Sequence, residues 1–142
     1  MLCILAGLGS SNLSAEKQEG KQKKPRFELS EKTLVDNKTR LMWPLNGHLA
    51  EQTVSWNDAF EYIDSLNREA YIGHKDWRLP SREELETLVK QIKEQGFGSE
   101  RVGTVAAGLQ ALGMKNIRDD EYWTSTEHTY NSGEAWFVNL RD

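Results

Sequence analysis

The sequence predicts an α+β fold in which two amphipathic helices pack on a small, mostly antiparallel sheet. Two segments in the middle of the chain repeat apolar residues at helical spacing. Segments rich in strand-forming residues lie before and after them. The length of 142 residues is that of one domain with a single substantial core and leaves no room for a second domain.

The first strands are predicted near the start of the domain. Residues 26–29 alternate like a short strand. Residues 33–35 and 40–43 have strand composition and flank the polar residues 36–39, a pattern typical of a hairpin with an Asp-Asn turn. Pro44 is expected to end the second strand of this hairpin.

Both helices carry start signals. Ser55 is a good N-cap for the first helix, whose apolar face is Trp56, Ala59, Phe60 and Ile63. The second helix begins with a capping box between Ser81 and Glu84, and its apolar face is Leu85, Leu88, Val89 and Ile92.

The later part of the chain returns to strands. Residues 96–120 are rich in glycine, with a weakly helical piece at residues 105–112, and no element is assigned there. Residues 121–126 and 135–140 have strand composition, and the polar loop 127–133 separates them.

Three parts of the chain differ in composition. Residues 1–15 have an apolar run followed by small polar residues, which predicts a signal peptide without a basic start; the alternative is a frayed, weakly apolar N-terminus. Residues 16–25 have no strongly apolar side chain and are predicted to be a linker, so the domain is assigned to residues 26–142. No other segment approaches the roughly 20 apolar residues that a membrane span needs.

Charge and cysteine content exclude some classes of site. Residues 27–142 carry 13 Lys and Arg against 20 Asp and Glu, a net charge of −7, so a nucleic-acid-binding face is not expected. The single cysteine, Cys3, excludes an intramolecular disulfide and a Cys-based zinc site.

No catalytic centre is predicted. His48, His74 and His128 are far apart without a helical partner at i+4, so they are expected to be isolated surface histidines. Ser125 lacks the Gly-x-Ser-x-Gly turn of a serine nucleophile.

The segment Asp76, Trp77 and Arg78 has two interpretations. It could be a ligand platform, because an indole stacks on sugar faces and an Asp and Arg pair orients hydroxyls. The favoured interpretation is structural: an ion pair and a buried indole lock the loop between the helices to the hairpin. Core packing is likewise expected for the other tryptophans considered, which are Trp43, Trp56, Trp123 and Trp136.

The loop at residues 127–133 supplies further candidate ligand contacts, namely His128, Tyr130 and Asn131. Oxygen atoms of Glu127, Asn131 and Glu134 could also hold calcium. Their spacing is unspecific, so a solvated loop is favoured and no cofactor is predicted.

Several segments together resemble the Lcl C-terminal domain family, over about residues 33–140. The matching pieces are residues 35–43, the helix from Trp56, residues 76–85, and the strands at 122–126 and 135–138. Asp-Trp-Arg-Leu-Pro before a capped helix is the most specific of them. The resemblance implies an exported or surface-exposed bacterial domain with a fold similar to C-type lectins. The adhesin that gave the family its name binds sulfated glycans and takes part in attachment.

Two departures limit what this resemblance implies. Family members usually continue into a glycine turn and a final strand, so we expect the last strand to be missing here. No collagen repeat precedes the domain, and the acidic charge is unfavourable for sulfated polymers.

The expected function is that of a non-catalytic recognition or adhesion module that is secreted, periplasmic or on the cell surface. It would bind a glycan or a protein through loops at residues 44–53, 96–120 and 127–133. The alternative is an assembly domain, completed by strand exchange with another subunit and forming a homo-oligomer. An enzyme is the least favoured class.

Overall fold

A computed structural model describes residues 24–96 and 103–141, together with the backbone of residues 6–8. Within these residues the chain is an α+β fold with three α-helices, a five-stranded sheet and a two-stranded sheet. All strand pairs in the two sheets are antiparallel, as predicted.

The larger sheet has the strand order β2-β3-β4-β1-β5. Its strands are β1 (Ala6–Leu8), β2 (Phe27–Leu29), β3 (Thr33–Asp36), β4 (Leu41–Pro44) and β5 (Trp77–Arg78). The predicted hairpin is confirmed as β3 and β4. Its turn is held by Asp36, whose carboxylate accepts the Lys38 N–H at 3.0 Å, and Arg40 takes a left-handed φ of 60°.

Strand β1 lies between β4 and β5, where Gly7 pairs with both Met42 and Trp77. It falls inside the predicted signal peptide at residues 1–15. The other residues of that segment, and residues 16–23 of the predicted linker, lie outside the described residues. The signal peptide and the linker therefore stay predictions.

The two predicted helices are confirmed as α1 (Trp56–Arg68) and α2 (Arg82–Glu94). Ser55 caps α1 by accepting the Asp58 N–H at 3.1 Å. At the start of α2 the capping box is complete, because Ser81 accepts the Glu84 N–H and the Glu84 carboxylate accepts the Ser81 N–H.

The prediction of only two helices was wrong. A third helix, α3 (Val105–Ala111), follows the N-cap Thr104 and buries Val105, Ala106 and Leu109. Its length of seven residues and its small side chains gave only a weak helical pattern, and tertiary packing stabilises it.

The smaller sheet contains the two strands predicted at the end of the chain, β6 (Glu121–Glu127) and β7 (Ala135–Asn139). Their register shifts between Trp123 and Glu127, so one bulge interrupts the ladder. The side chains of Tyr122 and Val138, which pair across the two strands, enter the core.

Two apolar clusters form the interior. The larger one joins β3 and β4 to α2, α3 and the β6–β7 hairpin, and it contains Trp43 and Tyr122. The smaller one lies under α1 and contains Trp77. Trp56 and Trp123, expected in the core, are partly buried against this second cluster.

Indole hydrogen bonds join α1 to the β6–β7 hairpin. The Trp56 indole N–H donates to the Thr124 carbonyl, and the Trp123 indole N–H donates to the Val54 carbonyl, each at 2.9 Å. These two bonds fix the hairpin against the start of α1. None of the helices in the described part of the chain is long and apolar enough to cross a membrane.

Candidate functional site

The end of the β6–β7 hairpin brings together two of the three predicted contacts of the loop at residues 127–133, His128 and Tyr130, while the Asn131 side chain bonds Glu134. The His128 N–H donates to the Glu134 carbonyl at 2.7 Å, which closes the turn. His128 stacks on the indole of Trp136, with ring centroids 4.7 Å apart. Tyr130 meets the same imidazole edge-on at 6.3 Å, and Tyr130 is 90% exposed.

Trp136 anchors this cluster to the start of α2. The guanidinium of Arg82 lies over the indole, with Cζ 4.0 Å from the ring centroid. The Arg82 backbone N–H also donates to the Thr126 hydroxyl on β6 at 2.9 Å. The first residue of α2 therefore holds both strands of the hairpin. We call Arg82, His128, Tyr130 and Trp136 the hairpin cluster.

A cleft of about 390 Å³ opens beside the hairpin cluster and is lined by Glu127, His128, Thr129, Tyr130 and Ser132. Its wall offers hydroxyls, a carboxylate and aromatic rings. Such a mixture suits a polar ligand that also has an apolar face.

The oxygen atoms considered for calcium are engaged within the loop. The Asn131 amide donates to the Glu134 carboxylate at 2.9 Å, and the Glu127 carboxylate accepts the Gly133 N–H at 3.3 Å. Across residues 24–96 and 103–141, no three His, Cys, Asp or Glu side chains cluster as metal ligands.

Trp77, one of the other three predicted site residues, lies in the core. The structural interpretation predicted that the Trp77 indole is buried, and this is confirmed, because Trp77 is 2% exposed. Its indole N–H donates to the Tyr71 carbonyl at 2.8 Å. Asn67 of α1 bonds both the N–H and the carbonyl of Trp77, so β5 is fixed to the helix before it.

The structural interpretation expected an ion pair that joins the inter-helix loop to the hairpin. Arg78 instead forms an ion pair with Glu84 of α2. Its guanidinium donates two hydrogen bonds, of 2.8 and 2.7 Å, to the Glu84 carboxylate. These bonds lower the pKa of Glu84 and raise the pKa of Arg78. The same carboxylate also accepts the Ser81 N–H of the capping box. Asp76 is exposed.

The structure adds residues that sequence reasoning did not select. Arg82 and Trp136 support the hairpin cluster, although the sequence indicated no role for Arg82 and predicted core packing for Trp136. Trp136 is in fact partly exposed. No sequence spacing links them, because α2 and β7 meet only in the fold.

The expectation of surface histidines was wrong for His48, which is 5% exposed. It lies where the loop at residues 44–53 meets residues 113–118. The Asn46 side chain accepts the His48 N–H at 3.1 Å and the Asn116 amide N–H at 3.1 Å. Two of the three loops predicted to bind a ligand therefore meet at one pocket.

One of three comparisons with known proteins agrees with the family resemblance of the sequence. Neither the curated proteins nor the solved structures contain a match to this chain. A family model described as the Lcl C-terminal domain matches residues 32–142. This match covers well over half of the chain and includes all three α-helices and the hairpin cluster. The chain therefore belongs to the Lcl C-terminal domain family.

Proposed function

We propose that this domain is a non-catalytic recognition module that works outside the cytoplasm and binds a glycan through the hairpin cluster. One observation carries the proposal: Tyr130 is almost fully exposed, yet its ring contacts His128, which is stacked on Trp136. A large aromatic ring held at the surface of a fixed hairpin loses little conformational entropy when it binds.

The chemistry around Tyr130 suits a sugar. An aromatic ring offers its face to the C–H groups of a pyranose. Glu127, Thr129 and Ser132 line the same cleft and offer oxygen atoms to sugar hydroxyls. A sugar presents both an apolar face and hydroxyl groups, so it can use both kinds of contact.

The charge of the domain favours a neutral glycan. Residues 27–142 have a net charge of −7, and the exposed side chains Glu127 and Glu134 lie at the hairpin end. A sulfated glycan would meet repulsion there. On the resemblance described above, we extend the proposal to a surface or secreted location and to a C-type-lectin-like fold.

A glycan-array screen of the full chain tests the proposal, run with calcium and with chelator. Tyr130→Ala should weaken the binding of any selected glycan at least tenfold, because the stacking platform is removed. Tyr130→Phe, which keeps the ring, is the matched control and should retain most binding. Equal binding by wild type and Tyr130→Ala would exclude the hairpin cluster as the site, and no binding by a folded sample would exclude the glycan.

Assembly through strand addition is a second candidate, and one observation favours it. Strand β7 pairs with β6 and with no other strand among the described residues, and Phe137 on β7 is 43% exposed. We expect light scattering to show a concentration-dependent dimer that Phe137→Lys prevents, if this candidate is right. A wild-type chain that stays monomeric at every concentration would contradict it.

A further inference from the structure

A second pocket, on a different part of the surface from the hairpin cluster, lies between residues 46–51 and residues 116–118. Two backbone hydrogen bonds hold the two loops together: the Gly47 N–H donates to the Lys115 carbonyl at 2.8 Å, and the Lys115 N–H donates to the Leu45 carbonyl at 2.6 Å. The Asn116 amide bonds the Asn46 side chain across the gap. The two loops are therefore fixed in position before any ligand arrives.

Close packing below the pocket fixes its shape further. A Cβ atom at residue 47 would lie 2.6 Å from Cγ1 of Ile117 and would also overlap its Cδ1. Only glycine therefore fits at residue 47 while Ile117 keeps its position. Ile117 is buried, and it contributes an apolar surface to the pocket wall.

His48 is the unusual member of this pocket. Its side chain lines the pocket and is 5% exposed, yet neither ring nitrogen has a hydrogen-bond partner in the described part of the chain. A neutral imidazole offers one donor and one acceptor, and burying either without a partner is unfavourable. A hydroxyl group entering the pocket is a suitable partner for such a nitrogen, because a hydroxyl both donates and accepts.

The charges around the pocket select the class of ligand. Glu51 and Arg118 both line the pocket, and neither takes part in an ion pair found among the described residues. Their charges cancel, so the wall attracts neither an anion nor a cation strongly. The amides of Asn46 and Asn116 add further donors and acceptors.

We propose that this pocket binds a neutral, hydroxyl-rich small molecule of monosaccharide size, with His48 as a direct contact. The volume of about 490 Å³ lies within the range of about 300–1,000 Å³ that is usual for small-molecule sites. This site is independent of the hairpin cluster and goes beyond the function proposed above. It holds whether or not Tyr130 binds a glycan.

NMR of the ¹⁵N-labelled full chain tests the proposal, because its three histidines give three sets of ring-nitrogen signals. The His48 set is assigned by its loss in His48→Phe. The probes are the methyl glycosides of glucose, galactose, mannose and N-acetylglucosamine, added separately. At least one should shift the His48 nitrogens saturably, with a dissociation constant on the order of millimolar.

Two variants distinguish a binding pocket from a packing role. Asn116→Gly removes the amide, and glycine accepts the left-handed φ of 57° at this residue, so the fold should be kept. It should weaken the saturable shift at least tenfold. Tyr130→Ala, in the hairpin cluster, should leave it unchanged.

Several outcomes would overturn the proposal. One is that no methyl glycoside moves the His48 signals of the folded chain. Another is that only sulfate, phosphate or free glycine moves them, since the pocket would then select an ion or a zwitterion. A third is a sugar response that Asn116→Gly leaves at full strength, because binding would then not depend on the pocket wall.

Discussion

The guanidinium carbon of Arg82 lies 4.0 Å from the ring centroid of Trp136, which places the first residue of α2 over a side chain of β7. This relationship joins a helix N-terminus to the hairpin that carries the hairpin cluster. It predicts that Arg82 stabilises the hairpin through the ring, in addition to the exposed ion pair that it makes with Glu86 within α2.

Arg82→Gln should therefore lower the free energy of unfolding by about 0.5–1 kcal/mol beyond the effect of losing the ion pair. Urea unfolding of both variants measures this, with Glu86→Gln as the control that removes only the ion pair. Equal destabilisation by the two variants would show that the contact with the Trp136 ring contributes nothing.

Gly47→Ala should destabilise the fold by about 1–3 kcal/mol, because the added Cβ overlaps Ile117. The backbone of Gly47 is outside the left-handed region, so the cost is steric. Urea unfolding of a double-mutant cycle with Ile117→Ala checks this. The cost of Gly47→Ala should fall in the Ile117→Ala background, and a cost that does not change would place the strain elsewhere.

The ion pair between Arg78 and Glu84 predicts a loss of stability in acid. The hydrogen bond from Arg78 lowers the pKa of Glu84 in the folded state below its ordinary 4.5. The contribution is therefore complete above pH 4.5 and is lost as the pH falls through the folded-state pKa. Both side chains are partly exposed, so we expect at most about 1 kcal/mol.

Urea unfolding of Glu84→Gln at pH 7 and pH 3 measures this effect. The difference from wild type should be largest at pH 7 and should shrink at pH 3. Glu83→Gln removes an exposed carboxylate from the same helical turn, and it should show a smaller difference. A difference for Glu84→Gln that does not change with pH would contradict the assignment.

Burial raises the pKa of Tyr122 to about 12. The folded state therefore holds this proton more tightly than the unfolded chain, so the stabilisation is complete below pH 10 and is lost as the pH rises toward 12. A spectrophotometric titration of the four tyrosines should show one step near pH 12. Tyr122→Phe should remove that step, and its persistence would assign the high pKa to another tyrosine.

The sequence predicted those elements whose pattern is local. Ser55, Ser81 and the apolar spacing of α1 and α2 are contained within single helices, so both helices could be located before the structure was known. The turn at residues 36–39 likewise has its own signal in Asp36 and its neighbours.

Elements that depend on distant packing could not be predicted. Helix α3 is short and contains Gly108, so its local propensity is low, and contacts with α2 and Leu140 stabilise it. Strand β1 has the apolar composition of a signal peptide, and its pairing with Met42 is a property of the whole sheet.

The candidate sites also include residues that a local sequence pattern indicates and residues that depend on distant packing. Tyr130 and Asn131 lie in one loop and could be selected from its composition. The burial of His48 depends on where residues 113–118 pack, and the support from Arg82 depends on where α2 begins. Neither contact could be read from the spacing of residues in a single sequence, because the partners are far apart along the chain.

The position of β1 also bears on the order in which the domain folds. Its neighbours in the sheet, β4 and β5, are separated in sequence by the whole of α1, and β1 is made before either of them. The pairing of residues 6–8 with both neighbours closes long loops, which costs chain entropy and slows folding. Completing the centre of this sheet is therefore expected to be a slow step in folding.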